Sequence, residues 1–550
     1  MKKKPLTPEQ LNQIPHDVIV SMYLQQSEAY QTLLRQNEEL LQRVASLDEK
    51  VAVLTQQLFG RKTERKKEII DDAQIRFHFG EDDPLALNEA EVLLGDAMPE
   101  EPVMETVVIR RKKRKGKREQ DLRYVEVQEI THELPEDRLQ ELFPKGYDRL
   151  PDEIYSELEY VPAKFVRNEH HIAVYAGKRG EGVVRADRPE RLLSNSILTP
   201  GLAAAIFNSK YVNAVPLNRL AEEFARHDVN ISRQVMAGWM IKLAERYLTP
   251  VYRSMKRKLL EGKLIHCDET PFDVIRDGKG PNSNNYMWVY HSYERYGTAP
   301  VFIYEYQPTR NAGAPRAFLK DYKGILVTDG YQVYHTIAGE RPDDLIVAGC
   351  WEHAKRKFAD LVKSIGKKKA AGTLAGQAVN RIAAIYHVDN MRKEASDKER
   401  YKHRQESVKP LVDAYFAWLK SLNTSVMDKS GPLYRAIQYS LNQEPYLRRF
   451  LDNPIIPMDN NDAERSIRKF CVGKHNWHVI ATPRGAESSA ILYSIAETAR
   501  ANGLKPYEYF KYLLEQILEH LDDPPAEYLD VLMPWSEQLP ETCRKKAFTN

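Results

Sequence analysis

Cysteine is scarce in this sequence, and the few cysteines lack the spacing that cross-links or zinc sites need. There are four, far apart and without any CxxC pair: Cys267, Cys350, Cys471 and Cys543. This pattern argues against a disulfide-stapled scaffold and against a cysteine-rich zinc site. We expect four reduced thiols.

Long apolar runs are also missing. Stretches such as residues 202–207 are far shorter than the roughly 20 residues that cross a bilayer, so no membrane span is predicted. The lysines at positions 2–4 are followed by polar sequence and not by an apolar segment, which argues against a secretory signal. We expect a cytoplasmic protein.

The chain as a whole has little net charge. Its 81 Lys and Arg residues nearly balance 78 Asp and Glu residues, giving +3 over 550 residues. Any binding of nucleic acid must therefore depend on local charge and not on a uniformly basic molecule. The length, with 42% hydrophobic residues, predicts several domains with their own cores.

A heptad pattern is present near the N-terminus. Leucines recur every seven residues, with Asn and Val at the alternate seam positions; the set is Leu33, Asn37, Leu40, Val44, Leu47, Val51 and Leu54. Leu and Val seams favour two parallel strands, and one seam Asn selects an in-register partner. The pattern predicts a dimerising coiled coil. The alternative is a helix that packs onto its own chain.

Charge is segregated in the next part of the chain. The heptads end in LFGRK (58–62), where Arg61 and Lys62 begin a basic cluster, and residues 69–108 are strongly acidic. Residues 110–118 then carry eight bases in nine positions, including Arg110, Arg111, Lys112, Lys113 and Arg114. Such tracts bind phosphates by releasing counterions, without reading base sequence. A merely solvated linker and helix end is the alternative.

The middle of the chain changes from strand-like to helical patterns. Short alternating apolar stretches at about 122–184 predict a small β-containing unit. From about 200 to 260 the pattern is helical: Leu220 and Phe224 share a face, and Ser232 can cap a second helix buried through Val235 and Trp239. Two helices joined by a short turn resemble a helix-turn-helix that directs Arg233 toward DNA, although many helical hairpins bind nothing.

Three acidic residues stand out in the C-terminal half. A strand-like run delivers Asp268, two more strand candidates follow, and after a predicted helix at 312–322 Asp329 ends a buried strand. A fifth strand at 345–350 leads into a basic helix around His353. A later helix with capping residues at its start carries Glu464. This connectivity is that of a ribonuclease H-like fold with a helical insertion.

Carboxylates gathered in this way suit one chemistry in particular. Mg²⁺ and Mn²⁺ prefer oxygen ligands, and two such ions about 4 Å apart can activate an attacking oxygen and neutralise a leaving one in phosphodiester displacement. Arg465 and Arg468 could hold the phosphates of the scissile strand. Alternatively, the aspartates cap turns and Glu464 pairs with Arg468 at helical spacing.

Five strings of residues together resemble a known group, the transposases of the bacterial insertion-sequence-66 family. They are HCDET (266–270), VTDGY (327–331), GCWEHAKR (349–356), DNNDAERSIR (459–468) and PRGAE (483–487). The similarity extends to LFGRK (58–62), LEYVPA (158–163) and LMPW (532–535), and so runs over nearly the whole chain.

The resemblance implies a DDE-type enzyme that cuts and joins DNA through divalent metal, with the triad on Asp268, Asp329 and Glu464. Glu269, Asp459 and Asp462 are close competitors. The residues we expect to contact DNA near the triad are Trp351, His353, Arg356, Arg465, Arg468 and Arg484. For Trp351 and His353, ordinary packing is an equal alternative. The chain departs from the family where members commonly carry a cysteine-rich zinc segment, so zinc is not expected there.

These inferences combine into one prediction: a multidomain α+β transposase that binds element ends and target DNA, uses two Mg²⁺ or Mn²⁺ ions and forms a homodimer or higher oligomer. Small accessory proteins and a nucleoid location are further implications of the resemblance. A noncatalytic DNA-binding regulator and a coiled-coil assembly protein are the rival classes. The predicted boundaries are coiled coil 1–68, linker 69–120, β-containing unit 121–190, helical region 191–260, catalytic domain 261–365 and 451–500, insertion 366–450, and C-terminal helix and tail 501–550.

Overall fold

The computed structural model describes residues 15–59, 137, 164–176, 183–279, 284–370 and 372–546. The acidic and basic linker, with Arg61, Lys62 and the tract that begins at Arg110, lies outside the described residues, as does most of the N-terminal half of the predicted β-containing unit. The described part is a mixture of helices around a mixed sheet. It agrees with the predicted α+β class.

The N-terminal heptads lie in one long helix, α1 (His16–Phe59). The small β-containing unit includes a two-stranded antiparallel sheet of β1 (Val174–Ala176) and β2 (Val183–Arg185), in which Val174 faces Arg185. Residues 165–167, which the pattern assigned to a strand, are not in one.

Four helices follow: α2 (Pro200–Phe207), α3 (Leu217–Arg226), α4 (Arg233–Leu243) and α5 (Thr249–Leu260). As predicted, Leu220 and Phe224 are buried on α3, and the Ser232 hydroxyl caps α4 by accepting from the Val235 N–H at 3.3 Å. The prediction for Val235 was wrong. Its side chain is exposed, because α4 buries Met236, Met240 and Leu243 instead.

The main sheet contains β3 (Leu264–Val274), β4 (Asn285–Ser292), β5 (Val301–Gln307), β6 (Gly324–Thr328) and β7 (Leu345–Gly349), in the order β5-β4-β3-β6-β7. The first three strands form the predicted antiparallel meander, and β6 and β7 run parallel to β3. Two helices connect the parallel strands, α6 (Gly313–Phe318), shorter than predicted, and α7 (Gln332–Glu340). A short β8 (Val479–Ile480) pairs with the far end of β3.

Both faces of this sheet are covered. Along β3 and β6, successive residues alternate between two hydrophobic cores: Leu264, Ile325 and Val327 belong to one, and Ile265 and Leu326 to the other. This is the alternation expected of a strand whose neighbouring side chains point to opposite faces. It explains the nearly continuous apolar runs in the sequence, which are typical of strands buried on both sides.

Helices supply the two coverings. The core that includes Leu264 is completed by α8 (Trp351–Ile365) and by the predicted insertion, which is helical. The insertion consists of α9 (Lys367–Ala370), α10 (Leu374–Asn390), α11 (Asp397–His403), α12 (Lys409–Ser421), α13 (Pro432–Asn442), α14 (Glu444–Leu447) and α15 (Arg449–Asp452).

The opposite core joins α2 to α5 with the C-terminal helices. These are α16 (Asn461–Trp477), α17 (Pro483–Ala501), α18 (Pro506–Glu519) and α19 (Pro525–Leu532). The four cysteine thiols are all free and buried. Within the described residues, every helix is too short or too polar to span a bilayer.

Candidate active site

Two aspartates end up side by side because of strand register. In the parallel pairing of β3 with β6, His266 faces Val327. Extending that register by two residues sets Asp268 opposite Asp329, which directly follows β6. Both continue the face of the sheet that Leu264 and Val327 mark. Gly330, with a φ of 91°, then turns the chain away.

Asp268 is a buried carboxylate with an unsatisfied oxygen. Its side chain is only 2% exposed, and Oδ1 accepts from the Glu269 N–H at 2.8 Å. No donor among the described residues reaches Oδ2. Burial raises the pKa of Asp268 well above its usual range, and the charges of Asp329, Glu269 and Glu464 raise it further. Acidic groups are therefore crowded around Asp268.

Glu464 comes to the same cluster from the first turn of α16. Its carboxylate is buried, and both of its oxygens accept from the Arg356 Nη2 on α8, at 3.1 and 2.7 Å. His353, one turn before Arg356, places Nδ1 3.6 Å from Glu464 Oε1. Burial lowers the pKa of His353, so its ring is neutral at pH 7. A pair with Arg468 was the alternative role considered for Glu464; the structure shows Arg356 donating to both of its oxygens.

The carboxylate oxygens of the cluster are of the type that divalent cations bind, but the side chains are not arranged as a preformed ligand set. In the described part of the chain, no three His, Cys, Asp or Glu side chains form a ready ligand set. The unpartnered Oδ2 of Asp268 and the mutual repulsion of the carboxylates fit a site that a cation would relieve. Arg356 now compensates Glu464, so Glu464 would have to exchange that guanidinium for metal.

Glu269, a competitor for the triad, lies on the other face of β3 and has its own partners. Arg310 Nε donates to Oε1 at 2.8 Å, and the Tyr334 hydroxyl donates to Oε2 at 3.4 Å. Burial and Asp329 raise its pKa, which Arg310 limits to about 7. The oxygens of Glu269 are thus bonded to Arg310 and Tyr334, as those of Glu464 are to Arg356.

The other two competitors, Asp459 and Asp462, line a cavity of about 560 Å³ beside the start of α16. Asp462 pairs with Arg295 at 3.2 Å and with Arg465. Burial raises the pKa of Asp459, whose oxygen accepts from the Asn461 N–H at 3.2 Å. These contacts hold both carboxylates at the helix start.

The prediction that Trp351 stacks on DNA disagrees with the structure. Its ring is fully buried, and Nε1 donates to the Leu447 carbonyl at 2.8 Å. An indole packed in this way has no face for a base. Residues 347–351 are all buried, so the end of β7 leads directly into the packed start of α8.

The remaining predicted DNA contacts differ in accessibility. Arg233 is exposed on α4, and the Arg465 side chain is 67% exposed. Arg484 is equally exposed but forms a two-point ion pair with Glu245, both bonds being 2.7 Å. Arg356, His353 and Arg468 are half-buried around the carboxylates. Of the predicted contacts beside the carboxylates, Arg465 pairs with Asp462 and Arg356 pairs with Glu464.

The seam residues of α1 that the structure describes face solvent. Leu33 is 63% exposed, Leu40 is 59% exposed, and Asn37 is exposed as well. The side chains of Val44, Leu47, Val51 and Leu54 lie outside the description. In this single chain the apolar seam is therefore not buried on the protein's own body where it is described.

Two kinds of site residue escaped the sequence patterns. The ion-pair partners Arg310 and Arg356 lie more than 40 residues from their carboxylates, at separations that no local spacing reveals. Asn460, the residue just before α16, makes no side-chain cap bond, although capping residues were expected at this helix start. It contacts His266 and the Cys267 carbonyl instead.

Comparison with known proteins adds independent information. The family model described as "Transposase IS66 family" matches residues 195–488, and "IS66 C-terminal element" matches 494–535. Among curated proteins, uncharacterized protein y4qI of Sinorhizobium fredii (strain NBRC 101917 / NGR234) is 30% identical over 510 residues, covering 90% of this chain and 89% of that protein. Uncharacterized protein y4jD of the same strain is 29% identical over 362 residues, covering 64% and 69%.

Proposed function

Because the chain belongs to the IS66 family of transposases, we propose that it binds the ends of an insertion sequence and catalyses metal-dependent cleavage and strand transfer. The observation that carries the catalytic part is Asp268: a buried carboxylate with one unpartnered oxygen, crowded by other acids. A purely structural carboxylate at this depth would be expected to have a partner for each oxygen.

We assign the five-stranded sheet and its helices to the ribonuclease H-like fold. Support comes from the strand order β5-β4-β3-β6-β7, with an antiparallel meander followed by two parallel strands. In this arrangement Asp268 and Asp329 lie on adjacent strands, and Glu464 comes from a helix after the insertion. The metal ligands we propose are these three carboxylates.

Divalent ions bound there, two of Mg²⁺ or Mn²⁺, would supply an activated attacking oxygen and a neutralised leaving oxygen. The protein's own groups have separate tasks. The burial of Asp268 and Glu464 limits the access of competing water. The exposed guanidinium of Arg465 is proposed to hold a DNA phosphate. Arg233, Arg61, Lys62 and the basic tract from Arg110 to Arg114 are proposed to hold DNA outside the reacting strand.

The same proposal extends to assembly. The exposed Leu33 and Leu40 favour a second copy of α1 as partner, with Asn37 setting the register. We propose a homodimer or higher oligomer that acts on the DNA, with element-encoded accessory proteins as further partners. Light scattering of the full chain tests the oligomer: substitution of Leu33 and Leu40 by Asp should shift it toward monomer.

A strand-joining assay with precut element ends tests the catalytic proposal. Asp268→Asn and Glu464→Gln should retain end binding in a mobility-shift assay yet lose joining by about a thousandfold, since several kcal/mol of charge stabilisation is lost at 1.36 kcal/mol per factor of ten. EDTA should abolish joining by the wild type.

Asp273→Asn is the matched control, because Asp273 lies on the same strand but is exposed. It should join at the wild-type rate. Joining that survives in Asp268→Asn would refute the assignment of the triad. A wild type that binds ends equally with and without metal and never alters the DNA would be a regulator and not an enzyme.

A further inference from the structure

Asn460 links the start of α16 to the strand that carries Asp268. It is fully buried and directly precedes the helix. Its backbone carbonyl accepts from the N–H groups of Ala463 at 3.0 Å and Glu464 at 3.2 Å. The position of Asn460 therefore determines where the first turn of α16, and with it Glu464, begins.

The side chain of Asn460 is bonded to the strand that carries Asp268. Its Nδ2 donates to the Cys267 carbonyl at 2.8 Å, and its Oδ1 lies 2.7 Å from His266 Nδ1. A carbonyl can only accept, which settles the orientation of the amide and leaves Oδ1 toward His266. His266 must then carry its proton on Nδ1. Burial lowers the pKa of His266 to about 4, which keeps this ring neutral and leaves Nε2 to accept from Tyr296.

A third set of bonds connects residues 458–460, just before α16, to α8. The Asn460 N–H donates to Cys350 Sγ at 3.2 Å, and the Trp351 N–H donates to the Met458 carbonyl at 2.9 Å. The helix that begins at Trp351 carries Arg356, the partner of Glu464. The junction at 458–460 thus connects the strand of Asp268, the helix of Glu464 and the helix of Arg356.

We propose that Asn460 is a positioning residue that sets the spacing between Asp268 and Glu464, and thereby the affinity of the carboxylate cluster for divalent metal. This inference rests on the proposed function. Only Asn at this position offers one donor and one acceptor at the required reach: Asp lacks the donor, Gln is longer, and Ala has neither. Asn is also a preferred helix cap, yet here its amide bonds to β3 and not to its own helix.

Titration calorimetry of the full chain with Mn²⁺ tests the proposal. Asn460→Ala should weaken Mn²⁺ binding about 10- to 100-fold, the usual effect of removing a group that orients a metal ligand. End binding should be unchanged, because the DNA-contacting bases are untouched. In the joining assay, turnover should fall while the apparent KM for DNA stays constant.

Asn461→Ala is the matched control, since the neighbouring Asn461 lines the cavity and has no role in this junction. It should bind Mn²⁺ like the wild type. A merely structural role would lower the unfolding temperature of Asn460→Ala and leave the Mn²⁺ affinity of the folded protein unchanged, and this result would overturn the proposal.

A second variant guards against misfolding of Asn460→Ala. His266→Phe removes the Nδ1 donor but retains a ring for the stack on His291, whose centroid lies 4.8 Å away. It should also weaken Mn²⁺ binding, and wild-type affinity in this variant would overturn the proposal. If the wild type binds no Mn²⁺, or Asp268→Asn binds it equally well, the proposed function falls together with this inference. If Asp268→Asn loses Mn²⁺ and Asn460→Ala does not, only this inference falls.

Discussion

The protein buries ionisable side chains in two regions, the helical insertion and the main sheet. The hydrogen bonding of Arg404 and Asp389 in the first differs from that of Asp268 in the second. In the insertion, the fully buried Arg404 donates to both oxygens of Asp389, at 2.7 and 3.1 Å, and its Nη1 donates to backbone carbonyls that include those of Phe450 and Ile456. In the main sheet, the buried Asp268 has acidic neighbours and an oxygen without a hydrogen-bond partner among the described residues. One region is complete within the chain, and the other is not.

The difference separates a structural charge from a functional one. A buried charge is tolerated when an opposite charge and hydrogen bonds replace the lost water, and Arg404 meets this condition. Asp268 does not meet it, so the fold keeps this group at a cost that a bound cation would offset. Unsatisfied burial of this kind is expected at functional sites.

The two regions are also physically connected. The carbonyls that Arg404 binds, from Phe450 to Ile456, belong to the segment that leads out of the insertion toward Asn460 and α16. The buried Arg404 therefore holds the segment 450–456, which leads to the helix that carries Glu464. The insertion also contacts the site directly, because the Tyr439 hydroxyl donates to the Asp329 carbonyl at 2.6 Å.

The largest expected effect comes from removing the buried Arg404–Asp389 ion pair of the insertion. Arg404→Met should lower the free energy of unfolding by about 3–5 kcal/mol, because the buried Asp389 carboxylate loses its two hydrogen bonds from Arg404 and keeps the 3.6 Å contact with Arg400 Nη2. Urea denaturation measures the loss. Arg392→Met, an exposed change in the same insertion, should stay within about 0.5 kcal/mol of the wild type.

A double variant sharpens this result. Arg404→Met with Asp389→Leu removes both charges of the pair and should lose less stability than Arg404→Met alone, since no buried carboxylate is left without its main partner, although Arg400 loses its 3.6 Å contact with Asp389. Equal or greater loss in the double variant would mean that the bonds to the carbonyls, and not the ion pair, hold this region.

A smaller effect is expected when a cation is supplied to the cluster of Asp268, Asp329 and Glu464. Mn²⁺ at a hundred times its dissociation constant should stabilise the wild type by about 2.7 kcal/mol, because only the folded chain gathers the three carboxylates. Asp268→Asn should gain nothing from Mn²⁺. Without metal it should be no less stable than the wild type, since the change removes an uncompensated charge. Urea denaturation with and without Mn²⁺ measures both, and equal Mn²⁺ stabilisation of Asp273→Asn and Asp268→Asn would contradict the proposed site.

This contrast also marks what sequence reasoning could and could not reach. The strands that carry Asp268 and Asp329, their order along the chain and the helix of Glu464 follow from local apolar periodicity, and the structure has all of them. The family was identified from short strings of residues. Periodicity reports which face of an element is buried, and that information is local.

Partners across the fold are a different matter. The Arg404–Asp389 pair, the Arg356–Glu464 pair and the bonds of Asn460 join residues whose proximity depends on how the insertion and α8 pack. Val235 shows the same limit at short range: α4 rotated by one residue buries Met236 in its place. The ligand-bearing elements could be predicted, but not which carboxylate stays unpaired.

The smallest effect concerns a third way of burying a titratable group, which is to keep it uncharged. His291 is fully buried, and its ring stacks between those of His266 and Phe302. The ring centroids of His291 and His266 are 4.8 Å apart, and those of His291 and Phe302 are 5.0 Å apart. Burial, and then the neighbouring His266, lowers the pKa of His291 well below 6.5. The unfolded chain therefore takes up a proton below pH 6.5 that the folded chain refuses, and stability must fall as the pH falls.

The expected loss from this one group is about 1.4 kcal/mol between pH 7.5 and 5.5, given 1.36 kcal/mol per unit of pKa difference. His291→Phe should remove that part of the pH dependence while keeping the stack, and the exposed His387→Gln should leave it in place. Urea denaturation at the two pH values distinguishes them. If His291→Phe keeps the full slope, the folded protein accepts a proton at His291, and the sheet next to Asp268 tolerates charge more readily than its burial implies. In that case the unpartnered oxygen of Asp268 would need water and not a cation.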